Sequence, residues 1–232
     1  MSKVVFSGLE SSGKSLKLAI LAEEILYRNA KWFKKSGICR PIAFNFPLSQ
    51  NYLDEAKKLG IPIKMWKNLD DLISLADCDI FVDEIGTYFD SRLWADLSLD
   101  CRRWIQQGSK MGIELYGACQ DFAQVDISFR RLVSELYHIV KILGSNRPCN
   151  TKPSIKTIWG LCSVAELDPQ NYDEKNKRFV GAGIFSYSFF AINRHYCELF
   201  DTRHFIEKSK PLHFKHEERS CLTCGYKKVF HK

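Results

Sequence analysis

The stretch Gly8-Leu9-Glu10-Ser11-Ser12-Gly13-Lys14-Ser15 satisfies the pattern G-x-x-x-x-G-K-[ST]. Chance would produce it in a chain of this length about once in a hundred. Each residue type in it answers a need of a polyphosphate. Gly8 and Gly13 permit backbone conformations and close approaches that a Cβ would block. The N–H groups of the loop, from Leu9 through Ser12 and on to Leu16 at the start of the next helix, are then aimed at phosphate oxygens. Lys14 is placed to bridge the β- and γ-phosphates, and the Ser15 hydroxyl to complete the shell of a Mg²⁺ ion. These residues predict that the chain binds ATP or another nucleoside triphosphate together with Mg²⁺.

A phosphate loop of this kind needs a carboxylate at the end of another strand. Ile80-Phe81-Val82-Asp83-Glu84 supplies one, with three apolar residues running into two acids. Asp83 is the expected metal-side acid. Glu84, one step on, is the expected general base that polarises the attacking water. An acid followed by Glu favours hydrolysis over phosphoryl transfer to a small acceptor. Gln120, which ends Tyr116-Gly117-Ala118-Cys119-Gln120, would lie at the carboxyl end of a neighbouring strand, where α/β sheets bind ligands. There it could sense the γ-phosphate or orient the water. In Val125-Asp126-Ile127-Ser128-Phe129-Arg130-Arg131-Leu132, Arg130 is the first candidate for an arginine finger reaching a neighbouring subunit's nucleotide, and Arg131 the second. Arg102 and Arg103 are weaker candidates.

The elements that must position these groups follow from hydrophobic periodicity. Lys3–Ser7 reads as a strand leading straight into the loop. Lys14 to Lys35 reads as a helix whose apolar face carries Leu16, Ala19, Ile20 and Ile25. Pro41–Phe46, Asp79–Asp83 and Gly112–Cys119 read as strands, Asn51–Leu59 and Leu69–Leu75 as short helices around an extended Ile61–Trp66. Ser91–Gln107 reads as a helix with Asp90 as its N-cap. Continuous Val/Ile/Phe strands alternating with helices predict an α/β fold: a P-loop NTPase core with a mainly parallel sheet covered on both faces. After Val140 the pattern changes. Ile155–Ala165 and Phe179–Ile192 read as strands with no long helix between them. The expected organisation is an ATPase core over residues 1–142, an antiparallel β extension of the same domain over 143–205, and a basic Cys/His tail over 206–232.

Composition narrows the class. The chain has 232 residues, 45% hydrophobic and 26% charged, with 13% aromatics, 13 Gly and 7 Pro. That balance supports a packed core and excludes disorder as the dominant state. The longest apolar run, from Gly181 to Ile192, falls well short of the roughly 20 residues that a membrane-spanning helix needs. A strand begins at once after Met1 with no signal-peptide pattern, so the expected location is the cytoplasm, a host's cytoplasm if the protein is viral. Nine cysteines are an odd number, and most stand singly in apolar runs, as reduced core residues do.

The net charge is +7, and the segment Thr202–Lys232 holds eight Lys/Arg against three Glu. Such a basic end suits a polyanion, nucleic acid or acidic lipid, or is a solvated tail. The tail also holds Cys221-Leu222-Thr223-Cys224-Gly225. Two thiolates and two imidazoles make a tetrahedral Zn²⁺ site, and His216 with His231, or His213 with His216, could complete one. A single C-x-x-C equally fits a redox pair or unrelated thiols.

In order and spacing these segments resemble the zonula occludens toxin N-terminal domain family, which includes filamentous-phage assembly ATPases. The likeness runs from the N-terminal phosphate loop through Ile80-Phe81-Val82-Asp83-Glu84-Ile85-Gly86 and the segment Trp104–Glu114 to Cys119-Gln120. It continues in Asp126-Ile127-Ser128-Phe129-Arg130 and Glu198-Leu199-Phe200-Asp201-Thr202, and so covers residues 3 to 205. The family sits among the P-loop DNA-translocating and viral genome-packaging ATPases. The resemblance implies an ATP-driven motor of a virus or phage, acting on viral DNA in packaging or in virion assembly and export. It implies a homo-oligomer, a ring or hexamer, working with capsid or assembly proteins. The chain departs from filamentous-phage relatives in having no membrane-spanning segment, and Ser109-Lys110 stands where many relatives place Arg-His. Two other readings of the phosphate loop are a nucleotide or nucleoside kinase and a nucleotide-switched assembly scaffold.

Overall fold

The structure, a computed structural model, describes residues 2–108, 110–144, 160–173, 178–179, 184–192, 199, 218–220 and 227–229. In chain order the elements are β1 (Lys3–Ser7), α1 (Lys14–Ser36), β2 (Ile42–Phe44), α2 (Gln50–Leu59), β3 (Ile63–Met65), α3 (Leu69–Ile73) and β4 (Asp79–Val82). They continue with α4 (Leu99–Gln107), β5 (Glu114–Cys119), α5 (Ile127–Arg130), β6 (Glu135–Gly144) and β7 (Gly160–Leu167). The short pair β8 (Tyr172–Asp173) and β9 (Arg178–Phe179) precedes β10 (Ile184–Ile192), and β11 (Glu218–Ser220) pairs with β12 (Lys227–Val229).

Eight strands form one sheet in the order β10-β7-β6-β1-β5-β4-β2-β3. Every pairing from β6 to β3 is parallel, and β7 and β10 add antiparallel to the β6 edge. This is the α/β architecture that the apolar strands and amphipathic helices predict. Strands buried on both faces need apolar side chains on both, and β1 and β4 are buried along their whole length. One face packs against α1 and α2 through Leu18, Ala22, Ile25, Leu26, Tyr52 and Ala56. The other packs against α3, α4 and α5 through Leu72, Cys101, Trp104, Ile105 and Phe129.

One helix differs from its sequence reading. Residues 91–107 are not a single helix capped by Asp90. A 3-10 turn at Trp94–Asp96 is followed by α4, whose N-cap is Ser98, accepting a hydrogen bond from the Cys101 N–H. Asp90 is used locally: it accepts from the Arg92 N–H at 2.8 Å and binds the Arg92 guanidinium at 2.8 Å. A side chain that caps its own turn favours a bend over a helix start. The strand β6 has no counterpart in the sequence reading, while β7 and β10 fall on the described parts of the two runs read as strands, β7 running two residues past Ala165.

The proposed zinc ligands His216, Cys221, Cys224 and His231 lie outside the described residues, as does most of Glu198–Thr202. Among the described residues no helix is long and apolar enough to cross a membrane.

Candidate nucleotide site

The phosphate loop spans the gap between β1 and α1, at the carboxyl edge of the sheet. Its bends use left-handed backbone: φ is 150° at Gly8, 61° at Ser11 and 102° at Gly13. A Cβ on Gly8 would collide with the Ile139 carbonyl oxygen and stand 2.8 Å from Ser12 Oγ. A Cβ on Gly13 would lie 3.1 Å from Cys162 Sγ and 3.4 Å from the Phe190 ring, so β7 and β10 pack directly on the loop. Lys14 is buried, and its Nζ donates to the Leu9 carbonyl at 2.9 Å. The buried Ser12 Oγ has no hydrogen-bond partner among the described residues. An orphaned hydroxyl beside a closed lysine in a glycine-pivoted loop fits a phosphate group, because buried polar atoms need partners.

Ser15, the first-turn hydroxyl of α1, donates to both oxygens of Asp83, at 3.1 and 3.0 Å. The two residues expected to hold Mg²⁺ are therefore in contact, although 68 positions apart in sequence. Burial pushes the Asp83 carboxyl above the usual carboxylate range; the Ser15 hydrogen bond opposes this, and the Glu84 charge adds to it. Glu84 has φ 53°, left-handed for a residue with a side chain, a conformation that costs on the order of 1–2 kcal/mol. In that geometry Gln120 Nε2 donates to Glu84 Oε1 at 3.3 Å. Gln120 follows β5, which runs between β1 and β4. Three separated segments thus bring Lys14, Ser15, Asp83, Glu84 and Gln120 to one edge of the sheet.

Two further residues of this edge carry no motif. Asn45, just past β2, holds the backbone of Asp83 from both sides: its Oδ1 accepts from the Asp83 N–H at 2.7 Å and its Nδ2 donates to the Asp83 carbonyl at 2.9 Å. The signal for it was register alone, since β2 pairs with β4. His138 on β6 sits opposite Ser7 in the β1 register, and its Nδ1 lies 3.1 Å from Ser7 Oγ. Burial, then the nearby Lys14 charge, holds His138 below its ordinary value.

Arg130, the first candidate for a finger, is buried, with its guanidinium carbon 4.8 Å from the Tyr172 ring centre and 5.8 Å from that of Phe122. The sequence ISFRR on a four-residue helix turns Arg130 inward beside Phe129 and leaves Arg131 exposed.

No protein-family model matches the chain, and no curated protein sequence does. Among solved structures, the N-terminal domain of zonular occludens toxin from Neisseria meningitidis matches 87% of this chain and 100% of its own, with TM-score 0.52 and 18% identity. The chain has the fold of that domain. The match is to the same kind of protein that the order of motifs resembles. The genome packaging NTPase B204 from Sulfolobus turreted icosahedral virus 2, in complex with AMPPCP, also matches, over 81% of this chain and 96% of its own, with TM-score 0.41 and 11% identity.

Proposed function

We propose that the protein hydrolyses ATP, and that it does so as a motor acting on viral DNA during packaging or virion assembly. The observation that carries the hydrolytic reading is the convergence on the phosphate loop of a hydroxyl–carboxylate pair, Ser15 and Asp83, beside a carboxylate–amide pair, Glu84 and Gln120. In this reading the loop N–H groups of residues 9–16 hold the phosphates, and Lys14 leaves the Leu9 carbonyl for the γ-phosphate. Ser15 and Asp83 would hold Mg²⁺, which when bound offsets phosphate charge. Asn45 fixes Asp83 in place. Glu84 accepts the proton of the attacking water, and Gln120, hydrogen-bonded to Glu84, aligns that water and reads the presence of the γ-phosphate. A carboxylate placed to take a proton from water, with Gln120 hydrogen-bonded beside it, favours hydrolysis over phosphoryl transfer to a small acceptor.

The motor reading rests on the family resemblance over residues 3–205 and on the shared fold. In this reading residues 1–142 are the ATPase core, residues 143–205 are its extension, of which β7 and β10 add to the sheet, and the basic tail of residues 206–232 would contact DNA. In a ring of subunits, a finger in trans falls to the exposed Arg131 rather than to Arg130. The test is Mg²⁺-dependent ATP hydrolysis with and without single- and double-stranded DNA. Turnover that rises with DNA and with protein concentration supports the motor. Turnover indifferent to DNA but released by a nucleoside acceptor moves the protein to the kinases.

A further inference from the structure

The two outer strands of the eight-stranded sheet are unlike each other. At one end stands β3, three residues long, with the exposed Lys64 at its centre. Short length and a lysine are common means of keeping an edge strand from pairing with another chain. At the other end stands β10, nine residues with no charged side chain, Ile-Phe-Ser-Tyr-Ser-Phe-Phe-Ala-Ile. Among the described residues no strand pairs with its outer side, so a row of its backbone N–H and C=O groups lies outside the ladder. The one irregularity in its register with β7 falls between Ile184 and Ser186, and Ser186–Ile192 is regular.

The side chains add to this. Phe185 is 67% exposed, Tyr187 64% and Phe189 62%, whereas Phe190 turns to the other face and packs on Gly13 of the phosphate loop. Phe189 lies opposite Ser163 of β7, which lies opposite Val140 of β6. The exposed aromatics therefore continue a face that also holds the half-exposed Val140. Exposed apolar groups gathered in a patch mark an interaction site, where single ones need no explanation.

The sequence of the strand identifies the partner. Residues 185–189, Phe-Ser-Tyr-Ser-Phe, read the same in both directions. Antiparallel pairing of the strand with a copy of itself about Tyr187 sets Tyr187 against Tyr187, Ser186 against Ser188 and Phe185 against Phe189. Aromatic pairs and hydroxyl pairs are among the directly opposed pairs that stabilise antiparallel strands. A two-fold contact requires a surface complementary to itself, and this strand has one. A polyanion would find no cation on it.

We infer that β10 is an interface with a second copy of this chain, the two strands pairing antiparallel about Tyr187 so that the sheet runs on from one copy into the other. The inference does not rest on the nucleotide reading. A two-fold contact uses the same patch on both copies and joins them in pairs, so it is separate from any ring closed around a nucleotide.

The test is sedimentation equilibrium of the full chain, without nucleotide or DNA, for the wild type and three variants. Tyr187→Lys brings like charges together at the two-fold axis, and Phe189→Lys removes both outer aromatic pairs. Phe185→Glu combined with Phe189→Lys sets an acid opposite a lysine on each side of the axis. The wild type is expected to form dimers as its concentration rises. Each lysine variant should weaken association by about tenfold or more, and the double variant should recover most of the loss seen in Phe189→Lys. These side chains are exposed, so the variants should keep the wild-type circular dichroism. If Tyr187→Lys does not fold, Phe189→Lys and the double variant decide by the same comparison. A wild type that stays monomeric overturns the inference, as does one whose association is indifferent to both lysines. Loss in both lysine variants without recovery in the double variant overturns the two-fold pairing about Tyr187.

Discussion

Lys14 Nζ donates to the Leu9 carbonyl across the loop, so the ammonium is already desolvated and held where a phosphate would replace that carbonyl. Lys14→Ala should abolish nucleotide affinity while leaving the fold, and a loss of at least a hundredfold is expected, the scale set by removing one preorganised charge-stabilising donor. Glu84→Gln should retain binding and lose turnover by about 10²–10⁴, the range of general-base catalysis; binding and single-turnover assays separate the two. The acids at the two ends of β4 behave oppositely. Asp83 faces Ser15 at the open edge, whereas Asp79 is fully buried and bound by Arg40 at 3.0 Å, Arg28 at 3.2 Å and Asn29 at 2.7 Å. Breaking such a buried network by removing one partner costs about 3–5 kcal/mol. Asp79→Ala should therefore lower the melting temperature sharply, and Asp83→Asn should not. Lys3 supplies a pH signature. Burial lowers its pKa from 10.5 to about 8, so the folded state carries a penalised charge below pH 8. Between pH 8 and 10.5 the unfolded chain binds the extra proton, and stability rises with pH across that window. Lys3→Met should remove this slope and stabilise the protein at neutral pH by about 1–3 kcal/mol, read from denaturant melts at several pH values.

At the scale of elements, the phosphate loop, the acidic strand and Gln120 were legible in the sequence because each is a local pattern: glycines and Lys at fixed spacing, apolar runs ending in polar groups. What was not legible depended on register or on competition between caps. Asn45 acts on Asp83 only because β2 lies beside β4, and His138 meets Ser7 only because β6 lies beside β1. β6 itself mixes charged and apolar residues, ELYHIVKILG, since one of its flanking strands pairs antiparallel and its far half is partly exposed. Such a strand lacks the continuous apolar run of β1 or β4. The misplaced helix start came from two competing caps, and Ser98 rather than Asp90 starts α4. Ser98→Ala should cost about 0.5–2 kcal/mol, whereas Asp90→Ala should not unwind α4; thermal melts of the two variants test that order. The inward turn of Arg130 is not legible in the sequence because four helical residues carry no clear period, and its aromatic partners Phe122 and Tyr172 lie 8 and 42 positions away.

Across the whole molecule, the sheet order sets a division of labour. The β5–β4 side of the loop carries the groups suited to hydrolysis, and the β6–β7–β10 side braces the loop through Cys162 and Phe190. If the protein is the motor proposed above, movement of the loop on loss of the γ-phosphate would pass directly into β7 and β10. The net charge of +7, with eight Lys/Arg in the last 31 residues, makes any DNA affinity fall steeply with salt.

The most direct test of ATP hydrolysis by this chain is its rate in Mg²⁺ for the wild type beside Lys14→Ala and Glu84→Gln, each with nucleotide binding recorded in parallel. The expected result is turnover in the wild type, no binding and no turnover in Lys14→Ala, and binding without turnover in Glu84→Gln. Wild-type protein that binds ATP without hydrolysing it, or a Glu84→Gln variant that turns over at the wild-type rate, would contradict a hydrolytic role for this site.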